Sequence, residues 1–145
     1  MTTPYASAED LIAVVRHTLL GSSDLTAVVG GRIYSSHIQQ PDTKTVVYPM
    51  VIMELEGGRI NTQGSFQGQI LYLYAYSTDS QGEATRIYDI VHRTLHHETL
   101  RKDGISIAGY CVETNRPHGG WNLAARAYFT RGLWMARAVF RGGQT

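Results

Sequence analysis

Cysteine is almost absent from this sequence, and its scarcity excludes two kinds of site. The 145 residues contain a single cysteine, Cys111. One cysteine cannot form an intrachain disulfide framework, and it cannot supply a zinc site built from several cysteines. Its neighbours in "GYCVET" are typical of a strand, where cysteine behaves as a small apolar residue.

Long apolar runs are also missing. No stretch approaches the roughly 18 uninterrupted apolar residues that a membrane-spanning helix needs. The N-terminal stretch "MTTPYASAEDL" has neither the basic start nor the apolar core of a secretion signal. With 43% hydrophobic and 17% charged residues, the composition predicts one globular domain over residues 1–145. We expect it in the cytoplasm of the cell that makes it, without membrane contact.

An excess of positive charge is absent too, because the formal net charge is +1. This argues against a dedicated nucleic-acid-binding protein, whose affinity for phosphates comes mainly from clustered Lys and Arg. The charge is nevertheless polarised along the chain. Residues 1–100 carry six Lys and Arg against ten Asp and Glu, whereas residues 101–145 carry seven against two. Such polarity suits a protein that meets copies of itself or several partners, unless folding scatters the charges.

Two helices are predicted near the N-terminus. Ser7 is a candidate N-cap for a helix that runs to about Leu20 and stops at Gly21. A serine at 22–23 can cap a shorter helix that ends at the glycine pair 30–31. The stretch "LTAVVGGRIYSS" therefore has a local explanation as a helix stop.

The middle of the sequence predicts two strands and a long helix. Residues 45–56 and 70–76 have strand patterns, and the three tyrosines of "ILYLYAY" fall on one face. Residues 57–69 contain four glycines and no continuous apolar face, so we predict a long, exposed, mobile loop there. Ser80 and Glu83 form a capping box before a helix over residues 81–97.

The end of the sequence completes a prediction of the fold class. "ISIAGYCVE" and "AARAYFTRGLWMARAVF" are strand-like, and residues 141–145 are predicted to be a flexible tail. Strands that follow one another without long crossovers favour antiparallel pairing. We predict a single α+β domain, with a largely antiparallel or mixed sheet of about four strands and helices packed on one face.

A histidine cluster is the strongest candidate for a metal site. His92 and His96 are four residues apart on the predicted helix, and His97 or Glu98 would be a third ligand. The order of residues is not that of a zinc-protease motif. Histidines in the last turn of a helix also interact favourably with its dipole without any metal, and we expect neither a metal nor another cofactor.

Other candidates for chemistry are weaker. "GGRINTQG" and "VGGRIY" lack the spacing and the trailing Lys-Ser/Thr of a phosphate-binding loop. A catalytic triad from Cys111 or a serine with His118 and Asp103 requires free choice of residues. The sequence therefore predicts no catalytic residue.

The C-terminal segment contains a possible basic strip. Arg126, Arg131 and Arg137 alternate there with Tyr128 and Trp134. No RNA-recognition motif accompanies them, so a solvated or subunit-contacting strand face is the preferred interpretation.

Taken together, several stretches resemble one family. These are "DLTAVVGGRIY", "YPMVIMEL", "ILYLYAYSTDSQGEATRIYDIVHRTLH" and "FTRGLWMARAVF". In this order they are similar to the tail terminator, or tail completion, proteins of long-tailed bacteriophages. The loop 57–69 and the segment "NRPHGGWNLAA" match less well, which is where partner contacts are expected to vary.

The resemblance implies a structural role without catalysis. Such proteins form a ring, taken as hexameric from the family, on the head-proximal end of the tail tube. The ring ends tube polymerisation and presents a surface to the head-tail connector. The partners implied are further copies of the chain, the tail tube protein and a connector or neck protein. DNA would pass through the lumen without sequence-specific binding, and the protein would be located in the virion at the tail-neck junction after assembly in the host cytoplasm.

Within this hypothesis two groups of residues are the expected contacts. The first group, in the predicted loop, contacts the tube or a neighbouring subunit: Arg59, Ile60, Asn61, Gln63 and Phe66. The second group contacts neighbouring subunits through the sheet: Arg131, Trp134 and Arg137. The alternative for the second group is that Trp134 lies in the core and the arginines are solvated. The alternatives for function are a head-completion or neck adaptor protein and, more distantly, a metal-dependent enzyme that uses His92 and His96.

Overall fold

The helical patterns near the N-terminus form two helices. The computed structural model describes residues 8–35, 47–60, 67–96, 98, 100–102, 105–107, 112–113, 117–138 and 140–141. Helix α1 spans Ala8–Leu20 and helix α2 spans Ser23–Val29, as predicted, and the proposed cap Ser7 lies outside the described residues. No single described helix is long and apolar enough to cross a membrane; α1 and α2 reach that length and composition only jointly, across a 90° bend.

The short helix α2 is capped at both ends by its own sequence. The side chain of Ser22 accepts a hydrogen bond from the backbone N–H of Leu25. At the other end Gly30 has a φ of +60°, and its N–H donates to the carbonyl of Thr26 at 2.9 Å. Residues with side chains disfavour a positive φ. This conformation therefore explains why the first residue of the pair is glycine. The helix-stop interpretation of the glycine pair is confirmed.

The remaining elements are one helix and several strands. Helix α3 spans Gln81–Leu95, two residues shorter than predicted. The described strands are β1 Ile33–Tyr34, β2 Met50–Ile60, β3 Gln67–Ser77, β4 Leu100–Lys102, β5 Ile105–Ile107, β6 Val112–Glu113, β7 His118–Asn122, β8 Ala127–Ala138 and β9 Phe140–Arg141.

Six of these strands form the main sheet. Its order is β1-β2-β3-β8-β6, and β7 also pairs with β8. Strand β1 is parallel to β2, and the other pairs are antiparallel, so the sheet is mixed. Strands β4, β5 and β9 form a separate antiparallel sheet. The predicted α+β domain with a mixed sheet is confirmed. It has more strands than the predicted four because β1 and β6 are only two residues long, and β7 has two glycines among its five residues, so none of them carries a readable alternation.

The predicted loop over residues 57–69 is wrong in its bounds. Residues 57–60 continue β2 and residues 67–69 begin β3, paired from Gly57 opposite Ile70 to Ile60 opposite Gln67. A register shift between Leu55 and Gly57 indicates a bulge at this point. Pairing is made by backbone groups, so a glycine-rich sequence without an apolar face can still extend a hairpin. Residues 61–66, between the strands, lie outside the described residues.

The predicted flexible tail is also wrong at its first residue. Arg141 belongs to β9 and lies opposite Ile105 in the small sheet. Residues 142–145 lie outside the described residues. Strand pairing therefore extends one residue further towards the C-terminus than the composition predicted.

The main core lies between the helices and one face of the main sheet. It combines residues from all three described helices with Val51 and Met53 of β2, the group Leu71, Leu73 and Ala75 of β3, and Trp134 of β8. The alternation predicted for β3 is confirmed, because Leu71, Leu73 and Ala75 face the helices, whereas the tyrosines of β3 face the other side of the sheet. Trp134 is fully buried, and its indole N–H donates to the hydroxyl oxygen of Tyr88 at 2.9 Å.

The N-cap half of the capping box predicted for α3 is formed. The hydroxyl oxygen of Ser80 accepts the backbone N–H of Glu83 at 3.0 Å. The carboxylate of Glu83 accepts a hydrogen bond from the buried hydroxyl of Ser77 at 2.8 Å, rather than from the cap backbone. The cap therefore links the end of β3 to the start of α3.

Removing this cap is expected to destabilise the domain. Ser80→Ala leaves the Glu83 N–H without its acceptor, which typically costs about 1 kcal/mol. Thr78→Ala, at an exposed position just before the cap, is the matched control and should change the free energy of unfolding by less than about 0.5 kcal/mol. Urea denaturation of both variants measures the difference. Equal effects of the two substitutions would show that the cap does not stabilise the helix.

Candidate interaction surface

The main sheet has a second face, on which none of the described helices packs. Side chains on this face alternate with the core residues along β2, β3 and β8. We call it the open face and define it by nine residues: Ile52, Glu54, Tyr72, Tyr74, Tyr76, Phe129, Arg131, Leu133 and Met135. The buried cluster at one end of this face includes no residue of the described helices.

Aromatic rings form a continuous row on the open face. Tyr74 stacks on Tyr76 with ring centroids 5.7 Å apart and planes inclined by 9°. The ring of Tyr72 lies 6.2 Å from that of Tyr74, and Phe129 lies 6.2 Å from both Tyr74 and Tyr76. Aromatic pairs at such distances add about 0.5–1.5 kcal/mol each beyond the area they bury. The row is thus a stiff surface of the kind enriched in protein interfaces.

Arg131 lies over this row. Its guanidinium carbon is 5.0 Å from the centroid of the Tyr72 ring and 5.8 Å from that of Tyr74. Cation–π contacts of this kind contribute about 0.5–1 kcal/mol at exposed sites. Burial raises the pKa of Tyr74, and a hydrogen bond with Arg131 opposes that rise. The arginine is half-buried, so its charge is held in a fixed place at the surface.

A turn between β7 and β8 closes one end of the open face. Ala125 of this turn packs against the cluster of Met50, Ile52 and Tyr76, and its carbonyl accepts the hydroxyl of Tyr48 at 2.9 Å. The buried end of the face is therefore its own small core, and the half-buried part extends from Tyr74 towards Met135.

Tyr76 is the most strongly perturbed titratable group of this face. It is fully buried, and burial is the main cause that raises its pKa from 10.0 to about 12. A hydrogen bond from the Asn122 side chain to its hydroxyl oxygen, at 3.4 Å, works in the opposite direction. The neutral phenol is therefore the form that the fold accommodates.

Stability is expected to fall with increasing pH in the alkaline range because of Tyr76. Above pH 10 the unfolded chain releases the phenolic proton, whereas the folded chain keeps it until about pH 12. The contribution of this group is therefore fully present below pH 10 and is lost as the pH rises towards 12. Urea midpoints measured through this range should decline in the parent and decline less steeply in Tyr76→Phe. Equal slopes in the two proteins would contradict the assignment.

Trp134, which we predicted as a subunit contact, is not on the surface. Its side chain is 0% exposed and lies in the main core, so the alternative interpretation of this residue is correct. Trp134 and Arg131 are three residues apart along β8, and side chains at odd and even positions of a strand point to opposite faces. The basic strip with Trp134 and Tyr128 interleaved is likewise excluded, because both residues alternate with Arg131.

The two other arginines of interest are brought together by strand register. Arg59 of β2 lies opposite Gly68, and Gly68 lies opposite Arg137 of β8. Gly68 therefore lies between the two arginines, and their Cα atoms are two strand spacings apart, roughly 10 Å. Of the remaining predicted contacts, Ile60 lies in β2 opposite Gln67, and Asn61, Gln63 and Phe66 lie outside the described residues.

The histidine pair is arranged as a stack. The rings of His92 and His96 have centroids 4.6 Å apart and planes inclined by 20°, and both contact Trp134. Lone pairs of ring nitrogens lie in the ring planes, so two nearly parallel rings at this separation do not point at one common ion. Within the described part of the chain, no group of three potential ligands could hold a metal.

Tyr72 and Tyr74 are the surface residues that our sequence reasoning did not select. The signal was present, because the tyrosines alternate with Leu71 and Leu73 in "ILYLYAY". The same alternation is also expected of a strand that is covered on both faces. Only the packing of the helices, which lies on the leucine face, shows that the tyrosine face is not covered by them.

Comparison with known proteins places the fold among components of phage-like particles. No family model matches the chain, and no curated protein sequence is significantly similar to it. Among solved structures, a chain of the virion of a native gene transfer agent particle superposes with a TM-score of 0.70 at 18% identity, covering 93% of this chain and 98% of that one. The gp17 protein of bacteriophage SPP1 superposes with a TM-score of 0.55 at 15% identity, covering 94% and 92% respectively. The chain therefore shares its fold, over nearly its whole length, with a component of a gene transfer agent virion and with a bacteriophage protein.

Proposed function

We propose that this protein is a structural component of a phage-like virion and acts as a tail terminator. In this proposal a ring of copies, six by analogy with the family, caps the head-proximal end of the tail tube. The ring stops polymerisation of the tube and provides the surface for joining to the head. The observation that carries the proposal is the fold match to a gene transfer agent virion chain, which covers 98% of that chain and 93% of this one.

The open face supports a role in assembly. It presents half-buried aromatic side chains with a fixed arginine, a composition typical of the centre of protein interfaces. A sheet face with projecting aromatic side chains suits the docking of another protein better than the binding of a small substrate, which usually takes a concave pocket. We accordingly propose a role without catalysis, in which Arg131 and Arg137 make subunit contacts.

The β2–β3 hairpin is the proposed contact with the tube or a neighbouring subunit. Its strands run to Ile60 and from Gln67, at the end of the sheet opposite the β7–β8 turn. Alanine substitutions in this hairpin, at Arg59, Ile60, Asn61, Gln63 and Phe66, are expected to leave the domain folded and to abolish joining to tails. Joining at the parental level, measured by electron microscopy, would refute the role of the hairpin.

Electron microscopy of binding mixtures tests the proposed function. Purified protein is mixed separately with tail tubes of the same virus and with its DNA-filled heads. Density that caps one end of the tubes supports a tail terminator. Binding to heads, with bare tube ends, would overturn it in favour of a head-completion or neck adaptor protein.

The remaining parts of the proposal follow from a ring at this position. The connector or neck protein lies above the ring, and DNA passes through its lumen without sequence-specific contacts. The protein is then a virion component of the tail-neck junction that is assembled in the host cytoplasm.

A further inference from the structure

The two ends of the main sheet lie far apart. The β2–β3 hairpin is at one end, and the β7–β8 turn, residues 123–126, is at the other. Strand β8 runs between them with 12 residues, which span roughly 36 Å at about 3.3 Å per residue. Contacts made at the two ends therefore belong to different interfaces.

Apolar side chains are exposed at the β7–β8 turn. Leu123 is 79% exposed, the highest value among the large apolar residues that the structure describes, and Trp121, just before the turn, is 49% exposed. The Trp121 ring contacts the Tyr128 ring edge-on, with centroids 4.9 Å apart. Exposed apolar side chains so close along the chain are typical of binding sites, and tryptophan is enriched among the residues that contribute most to binding.

Hydrogen bonds within the chain hold the turn in one conformation. The side-chain oxygen of Asn122 accepts the backbone N–H of Ala125 at 2.9 Å, and the hydroxyl of Tyr48 donates to the carbonyl of Ala125 at the same distance. A preorganised element loses little conformational entropy on binding. The exposed leucine is thus presented in a fixed position.

Arg126 has a backbone conformation that glycine would adopt more easily. Its φ is 52°, the only positive φ among the non-glycine residues that the structure describes. A residue with a side chain is strained in this conformation, and such residues cluster at functional sites. The side chain of Arg126 is exposed and makes no ion pair with any carboxylate that the structure describes. The fold therefore keeps a guanidinium at a strained position without using it internally.

The segment that carries the turn has no negative charge. Residues 117–131 contain His118, Arg126 and Arg131 and no Asp or Glu. An unpaired cation beside exposed apolar groups complements an apolar depression that has a carboxylate at its rim. The phosphates of DNA would pair with the arginine, but they offer nothing apolar to Leu123. The chemistry of the turn therefore favours a protein as its occupant.

We infer that the β7–β8 turn is the head-side docking site of the proposed ring. The inference rests on the proposed function: with the β2–β3 hairpin on the tube, the turn at the far end of the sheet faces the protein that joins the ring to the head. The occupant is that head-side protein, which offers Leu123 an apolar depression and Arg126 a carboxylate.

Attachment of heads to capped tubes tests this site. Tail tubes capped with purified protein are mixed with DNA-filled heads, and capping and attachment are counted separately by electron microscopy. Leu123→Asn removes the apolar contact, and Arg126→Gly removes the guanidinium. Both variants should cap tubes as the parent does and attach at least about tenfold fewer heads. Val28→Asn changes a side chain that is 37% exposed on α2; it is the matched control and should attach heads as the parent does.

Thermal unfolding separates loss of binding from loss of folding. Arg126→Gly should unfold at a temperature no lower than that of the parent, because glycine adopts a positive φ easily. An attachment defect in this variant then reports the lost guanidinium. A lower unfolding temperature would show that Arg126 stabilises the turn and would overturn its assignment to the partner.

The outcomes separate this inference from the proposed function. Parental head attachment by Leu123→Asn and Arg126→Gly would overturn the site. Loss of tube capping by these variants would also overturn it, because the turn would then face the tube or another copy; both results leave the tail terminator role standing. A parent protein that binds heads but caps no tubes would reject that role, and direct head binding by the two variants would still decide the site. Attachment to filled heads but not to heads emptied of DNA would identify DNA as the occupant and overturn the inference.

Discussion

Replacing Trp134 by alanine is expected to lower the free energy of unfolding by about 3–5 kcal/mol, the largest effect of any single substitution considered. The side chain is fully buried between β8 and α3, in contact with His92 and His96. Its removal leaves a cavity in the main core and takes away the donor that Tyr88 accepts at 2.9 Å. Urea denaturation followed by circular dichroism measures the loss.

Two companion substitutions identify the cause of this loss. Tyr88→Phe keeps the packing of the ring but leaves the indole N–H without its acceptor, so a smaller cost of about 1–3 kcal/mol is expected. Met135→Ala, at the neighbouring position on the open face, removes a side chain that is 38% exposed and should cost about 1 kcal/mol or less. A Trp134→Ala protein as stable as Met135→Ala would contradict the core assignment and restore Trp134 as a surface contact.

Arg131→Glu is expected to reduce assembly at least about tenfold while leaving the monomer folded, because truncating or reversing a central interface charge commonly costs about 1.4 kcal/mol or more. The substitution removes the guanidinium from above Tyr72 and Tyr74 and adds a carboxylate to the face that already carries Glu54. The cation–π contacts contribute about 0.5–1 kcal/mol each, so only a modest change in thermal stability is expected. Tail capping scored by electron microscopy measures assembly.

A charge reversal on the other layer is the matched control for this result. Arg93→Glu lies on the exposed side of α3, away from the open face, and should cap tails as the parent does. Loss of capping by both variants would indicate a general charge effect. Loss of capping by Arg93→Glu alone would move the interface from the open face to the helices.

Local sequence signals predicted the helices and the long strands correctly. Ser80 with Glu83, and the glycine pair after α2, are signals confined to a few neighbouring residues, and each satisfies backbone groups of its own helix. The alternation of "ILYLYAY" likewise separated the leucine face from the tyrosine face, and the packing of the helices then showed which of the two is the core face. Such patterns need no knowledge of what the chain packs against.

The errors arose where pairing with distant residues decided the structure. Gly57 and Gly58 extend β2 only because Gln69 and Ile70 lie opposite them. Arg141 pairs with Ile105, which lies far away in sequence. Long-range partners override weak local propensity in strands, so neither element had a readable local signal.

The candidate surface was predictable only in part. Arg131 was selected from its position in a strand-like segment, and Trp134 was selected with it, although alternation places the two on opposite faces. The β7–β8 turn lies in the segment that matched the tail terminators poorly, and the exposure of Leu123 becomes evident only once the turn is folded. Which side chains are exposed can be determined only when the packing of the core is known.

The tail length distribution in particles that lack this protein tests the proposed function most directly. The gene is inactivated in the virus or gene transfer agent that encodes the chain, and lysates are examined by electron microscopy, with the gene supplied in trans as the control. A tail terminator predicts tubes of variable and excessive length that are not joined to heads, together with filled, tailless heads. Tails of uniform, parental length in the absence of the protein would contradict the account.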